Sequence, residues 1–151
     1  MPQNFAARTA LSAAGGVGFL STDANGRLLV TSEAPAADAV SAFSADVANA
    51  TATASLPAVA GRANRVAGIL ISATGATAAS DVVATVSGLA GGTMEIPIAV
   101  PASATGQVGP ISVNFTQPLV ASGVNTAIVI TLPALGAGNL HAAVSIWGDV
   151  G

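Results

Sequence analysis

The 151 residues suffice for one domain with an appended arm, and their 52% hydrophobic content with only 3% aromatics means a core of Ala, Val, Leu and Ile. A net charge of −3 carried by four Arg and no Lys excludes the clustered cations that a phosphate backbone requires, so nucleic acid is not an expected partner. Without cysteine there is neither a disulfide framework nor a Cys-ligated metal. The best candidate for a membrane span, residues 66–73, meets Thr74 and Gly75 far short of the ~20 residues required, so no membrane association is expected.

Residues 1–45 read as an N-terminal arm with a hairpin and a linker. The stretch Ala10–Val17 is too interrupted for the apolar core of a secretory signal. Asp23-Ala-Asn-Gly26 is a turn signal, because Asn and Gly tolerate the positive φ of tight hairpin turns. It lies between two short strand candidates, Val17–Leu20 and Arg27–Thr31. A lone hairpin is marginal in water, so this one is expected to dock on something larger. Phe5, Arg8, Phe19 and Arg27 are its candidate partner contacts, bulky or charged groups on a segment unable to build its own core. Residues 34–43 read as a linker with a helical turn or two.

Residues 46–151 read as strands separated by turns, near 48–56, 64–72, 81–89, 93–100, 108–116, 124–132 and 139–147, with a further piece around 118–121. Alternation at period two marks each half-buried strand: Ile111, Val113 and Phe115 against Ser112, Asn114 and Thr116, and Leu140, Ala142, Val144 and Ile146 on one face of the last strand. The stretches 66–72 and 82–89 are apolar on both faces, as expected of strands covered on both sides. Pro97 cannot donate a ladder hydrogen bond and places the 93–100 strand at an edge or bulge. Leu-Pro-Ala ends two strands, at 56–58 and 132–134. The regular spacing predicts an all-β antiparallel sandwich or barrel.

Chemistry is sparse. The absence of Lys removes the P-loop lysine, the Schiff base and the Lys nucleophile, and Gly15-Gly-Val-Gly18 lacks the spacing of a dinucleotide loop. His141 is the single histidine, no nucleophile elbow surrounds any Ser, and the expected place of His141 is an outward position on the last strand. Asp81 and Glu95 are the only carboxylates between residues 48 and 148, and Asp81 reads as a turn residue opening a strand. Trp147 reads as a packing residue. The expectation is a protein that is not an enzyme, with no cofactor, no metal and no catalytic residues.

Ionic groups are the missing element. From Ile96 to Gly148 there is no Asp, Glu, Lys or Arg. A chain of this mass exposes about 7,000 Å² when folded, on which soluble proteins ordinarily place about 25–35% charged residues. An exterior so poor in charge is expected to be covered by neighbouring molecules.

The order of elements resembles small virion proteins of tailed bacteriophages. The arm carries Asp23-Ala-Asn-Gly-Arg-Leu-Leu-Val30, the sandwich opens with Ala52-Thr-Ala-Ser-Leu-Pro-Ala-Val-Ala-Gly-Arg62, and it closes with Thr126-Ala-Ile-Val-Ile-Thr-Leu-Pro-Ala134 and a last strand ending in Trp147-Gly148. The resemblance implies a jelly-roll-like sandwich and a structural role as a capsid decoration (cement) protein. Such a protein self-associates, with a homotrimer favoured, and has the major capsid protein or neighbouring virion proteins as partners. It is expected on the capsid exterior after assembly in the host cytoplasm. The alternative is a tail-fibre, collar or spike head domain recognising a host-surface glycan. That role favours exposed aromatics, of which one Trp, four Phe and no Tyr are on offer.

Overall fold

The computed structural model describes the backbone of residues 9–13, 16–22 and 28–30 and the whole of residues 38–151. It is all-β; among the described residues no helix is long and apolar enough to cross a membrane. Two compact units divide the chain, Met1–Ala36 and Ala37–Gly151.

In the first unit, β1 (Thr9–Ala13), β2 (Gly16–Thr22) and β3 (Leu28–Val30) form an antiparallel sheet in that order. The expected hairpin is β2–β3, with its Asn-Gly turn outside the described residues. β1 adds a strand that sequence patterning does not signal, because Thr-Ala-Leu-Ser-Ala has too few branched residues to mark a period.

The second unit is a sandwich of eight strands. They are β4 (Asp38–Phe43), β5 (Ala52–Leu56), β6 (Asn64–Thr74), β7 (Ser80–Leu89), β8 (Gly92–Val100), β9 (Gln107–Val120), β10 (Ile128–Leu132) and β11 (Ala142–Val150). One sheet has the order β4-β11-β6-β9 and the other β5-β10-β7-β8, all antiparallel. The first strand pairs with the last, β5 with β10, β6 with β9, and β7 with β8, so the chain is one long antiparallel ribbon rolled up from its central hairpin. That is the jelly roll, and every connection except the β7–β8 turn crosses between sheets.

Rolling brings one apolar stripe of each strand inside. Ala52, Ala54 and Leu56 of β5, Val66, Ile69 and Ile71 of β6, Ile128, Ile130 and Leu132 of β10, and Ala142, Val144 and Ile146 of β11 are buried together. The alternating residues stay outside, as period two demands. β6 and β7 are therefore central in their sheets but are not covered on both sides. Val83, on the outer face of β7, is 41% exposed.

Residues 38–43 correct the expected linker. Asp38-Ala-Val-Ser-Ala-Phe is the edge strand β4, Val40 and Ala42 pack against the core, and the sandwich begins before residue 46. Its two Ala give a weak strand signal, and pairing with β11 decides its conformation. The pieces expected at 108–116 and 118–121 are one strand, β9, although four of its residues, Phe115–Pro118, stand opposite Ala67 alone in an irregular register. The last strand starts at Ala142, leaving Leu140 outside it and 51% exposed. β8 lies at a sheet edge, where Pro97 is harmless.

Candidate interaction surfaces

The outer face of the β4-β11-β6-β9 sheet holds the largest aromatic groups of the sandwich. Strand pairing sets its residues in rows: Phe43, Ser145, Leu70 and Ser112 in one, Ser41, Trp147, Gly68 and Asn114 in the next. Phe43 is 72% exposed, and Trp147 is half-buried rather than in the core, with its indole laid over Gly68. A Cβ on Gly68 would stand 2.4 Å from Trp147 Cζ2, so the missing side chain is what lets the ring lie against the sheet. An aromatic side chain covering a cross-strand glycine restores the packing that glycine forgoes.

Ionic groups are kept to the two ends of this sheet. At one end Arg65 Nε bonds Asp149 Oδ1 at 2.5 Å, and Arg62 Nη1 bonds Asp38 Oδ2 at 2.6 Å. Arg62 also donates through Nη2 to the Val150 carbonyl. At the other end His141 Nδ1 and Asp46 Oδ2 lie 2.7 Å apart, both more than half exposed. Each of the two arginines of the sandwich is thus held by a carboxylate, leaving Asp81 and Glu95 on the opposite sheet.

His141 and Asp46 border a cleft of about 330 Å³ with Ser72, Thr74 and Gln107. Thr74 Oγ1 accepts the backbone N–H groups of Leu140 and His141, and the Asn139 amide donates to the Thr74 and His141 carbonyls, fixing this end of β6 to the turn before β11. Among the described residues Asp46 is the hydrogen-bond partner of the imidazole, and no group of three His, Cys, Asp or Glu converges as a metal would need. Among the described residues no Ser or Thr hydroxyl is hydrogen-bonded to the imidazole, as an activated nucleophile would be. His141 is outward, as expected, but precedes the last strand instead of lying on it.

A second concavity, about 400 Å³, lies where the β7–β8 turn meets the end of β9. Leu89, Met94, Pro118, Leu119 and Val120 make it apolar, with Gly91 and Gly92 at its lip. Ala90 N–H to Val120 O at 2.9 Å and Ser122 N–H to Gly88 O at 2.8 Å tie its two sides together. Val120 is 45% exposed there and Val124, in the following turn, 57%.

Three of the four sheet edges are blunted. β8 carries Glu95 and Pro97, β9 carries Pro110, Pro118 and its irregular register, and β5 has five residues. Such features discourage edge-to-edge pairing and leave the faces and ends of the sandwich, with the edge of β4, for contacts with other molecules.

Of the expected contact residues, Phe5, Arg8 and Arg27 lie outside the described residues, and Phe19 stands in β2 opposite Ala10. Sequence reading did not single out Phe43, Leu70 or the Asp46–His141 pair. Phe43 and the Asp46–His141 pair depend on the pairing of the first sandwich strand with the last, and the place of Leu70 on its pairing with β11 and β9; no local signal exists for either. Comparisons with protein-family models, with curated proteins and with solved structures return no match.

Proposed function

We propose that this protein is a structural component of a virus particle, a decoration protein that coats the capsid exterior and stabilises it through association of its own copies. The observation that carries this reading is the distribution of charge on the sandwich. The ion-free run from Ile96 to Gly148 supplies half of β8, all of β9 and β10 and most of β11, and so reaches both sheets. With both arginines engaged by carboxylates, little ionic exterior remains to keep copies apart. Exposed Val83, Val120, Val124 and Leu140 add apolar contact points on separate parts of the surface.

The jelly roll is compatible with this role but hosts many others, and the weight falls on the surface chemistry. The blunted edges of β5, β8 and β9 favour face and end contacts, and the groove beside Met94 offers a seat for an apolar side chain of a neighbouring subunit. A trimer around a three-fold axis is the assembly we favour. Residues 1–36, a unit of their own, then contact the major capsid protein or the next subunit through Phe5, Arg8, Phe19 and Arg27. Many weak copies hold firmly because each bound site raises the effective concentration at the next. The role needs neither cofactor nor turnover, and it places the protein in the virion after assembly in the host cytoplasm.

Light scattering of the purified chain tests the self-association step. A mass three times that of the monomer, or one that rises with concentration, supports it; a strict monomer at millimolar concentration contradicts it. Removing residues 1–30 is expected to abolish binding to particles while the β circular dichroism stays unchanged; retained binding would remove the arm as the anchor.

A further inference from the structure

We infer that the outer face of the β4-β11-β6-β9 sheet binds a neutral oligosaccharide, with Trp147 and Phe43 as stacking platforms. This goes beyond the shell role and does not rest on it. The indole of Trp147 is pinned across Gly68, and Phe43 stands out from the edge strand one row away and two strands over from Leu70. The indole held in this way offers apolar area at little entropic cost, the Phe43 ring adds exposed apolar area beside it, and the electron-rich faces of both suit the C–H faces of sugar rings. Around them stand Ser41, Ser145 and Asn114, whose hydroxyl and amide groups can both donate to and accept from sugar hydroxyls.

Size and charge choose among occupants. Four strands about 4.8 Å apart and the two rows about 6.7 Å apart give an ion-free area of roughly 250 Å². A stable protein partner needs about 800 Å² per side, so a second copy docked on this face alone falls short roughly threefold. A short oligosaccharide fits. The rows through Phe43 and Trp147 carry no ionisable side chain, and the nearest arginine, Arg65, is already neutralised by Asp149. Nothing there pays for desolvating an anion, so the sugar is uncharged.

Trp147 is the single tryptophan, so intrinsic fluorescence of the full chain reports this face directly. Titration with α- and β-linked gluco-oligosaccharides, chito-oligosaccharides, manno-oligosaccharides and galacto-oligosaccharides is expected to give a saturable change with one of them in the millimolar range, and none with sialyllactose or heparin fragments. Phe43→Ala, at an exposed site that leaves the core intact, is expected to weaken that binding at least tenfold with unchanged melting temperature. Asn114→Ala is expected to weaken it less. The inference is overturned by a flat titration across the neutral panel, by a response only to the anionic sugars, or by binding that Phe43→Ala leaves intact. A fluorescence change that follows protein concentration without sugar would assign the face to a second copy instead.

Discussion

Asn64 is the side chain on which removal of a few atoms should cost most at one end of the sandwich. It opens β6, is 1% exposed, and donates through Nδ2 to the carbonyls of Pro57 at 2.9 Å and Thr126 at 3.0 Å, with Leu56 O at 3.4 Å. It thereby ties the end of β5, in the other sheet, and the turn before β10 to the start of β6. Truncation to Ala leaves two part-buried carbonyls without this donor, each bond worth about 1–1.5 kcal/mol. Against this, Asn64 Oδ1 is itself buried without a partner among the described residues, and its removal returns part of the loss. The net is about 2 kcal/mol, equivalent to a fall of about 8 °C in Tm for a unit of this size. Asn64→Asp replaces the donor by a carboxylate aimed at carbonyl oxygens and should cost more than Ala at pH 7. Burial raises the folded-state pKa of that carboxyl above its unfolded value near ~3.9. Relative to wild type the variant therefore regains stability as pH falls through the raised value, and the gap is smallest near pH ~4. Urea melts at pH 7 and pH 4 measure both. An Ala variant as stable as wild type, or an Asp variant whose deficit is independent of pH, would refute the bridging role.

Three further outcomes follow from the fold. Gly148→Ala sets a Cβ 1.8 Å from the Arg65 carbonyl oxygen at the register shift between β11 and β6 and should destabilise by about 3 kcal/mol. Gly91→Ala, with nothing within 4 Å of the added atom, should stay within about 0.5 kcal/mol in the same denaturant series. Ile130→Ala, fully buried on β10, should cost about 2–5 kcal/mol, whereas Val83→Ala on the outer face of β7 should stay within about 0.5 kcal/mol; equal effects would contradict the assignment of inner and outer faces. Removing residues 1–36 should leave a folded sandwich by circular dichroism, but removing residues 1–44 deletes β4, uncovers the flank of β11 and should give an aggregating product.

Much of the sandwich was legible in the alternation of residues 52–150, because a strand with one face in the core must repeat every second residue. Ile128, Ile130 and Leu132 announce their face without help from any partner. β4 was not legible, since its Ala and Ser residues gain strand character only from pairing with β11. The ends of the ribbon also decide the surfaces. Once β4 lies beside β11, Phe43 falls next to Ser145 and one row from Trp147, and Asp46 meets His141 across 95 residues of chain. No local spacing records such a meeting. The seating of the Trp147 indole over Gly68 depends on a residue of a different strand, which the packing expected of the tryptophan from sequence does not reveal. The charge-free stretch was visible at once, because composition needs no partner to be read.

Electron microscopy of purified particles from cells producing this protein, with the eight-stranded jelly roll fitted into the map, tests the structural role most directly. The proposed decoration role predicts density for the sandwich repeated over the capsomers, with neighbouring copies touching through their uncharged surfaces. Particles whose capsomers are bare, with the jelly roll absent or confined to the tail tip, would contradict it.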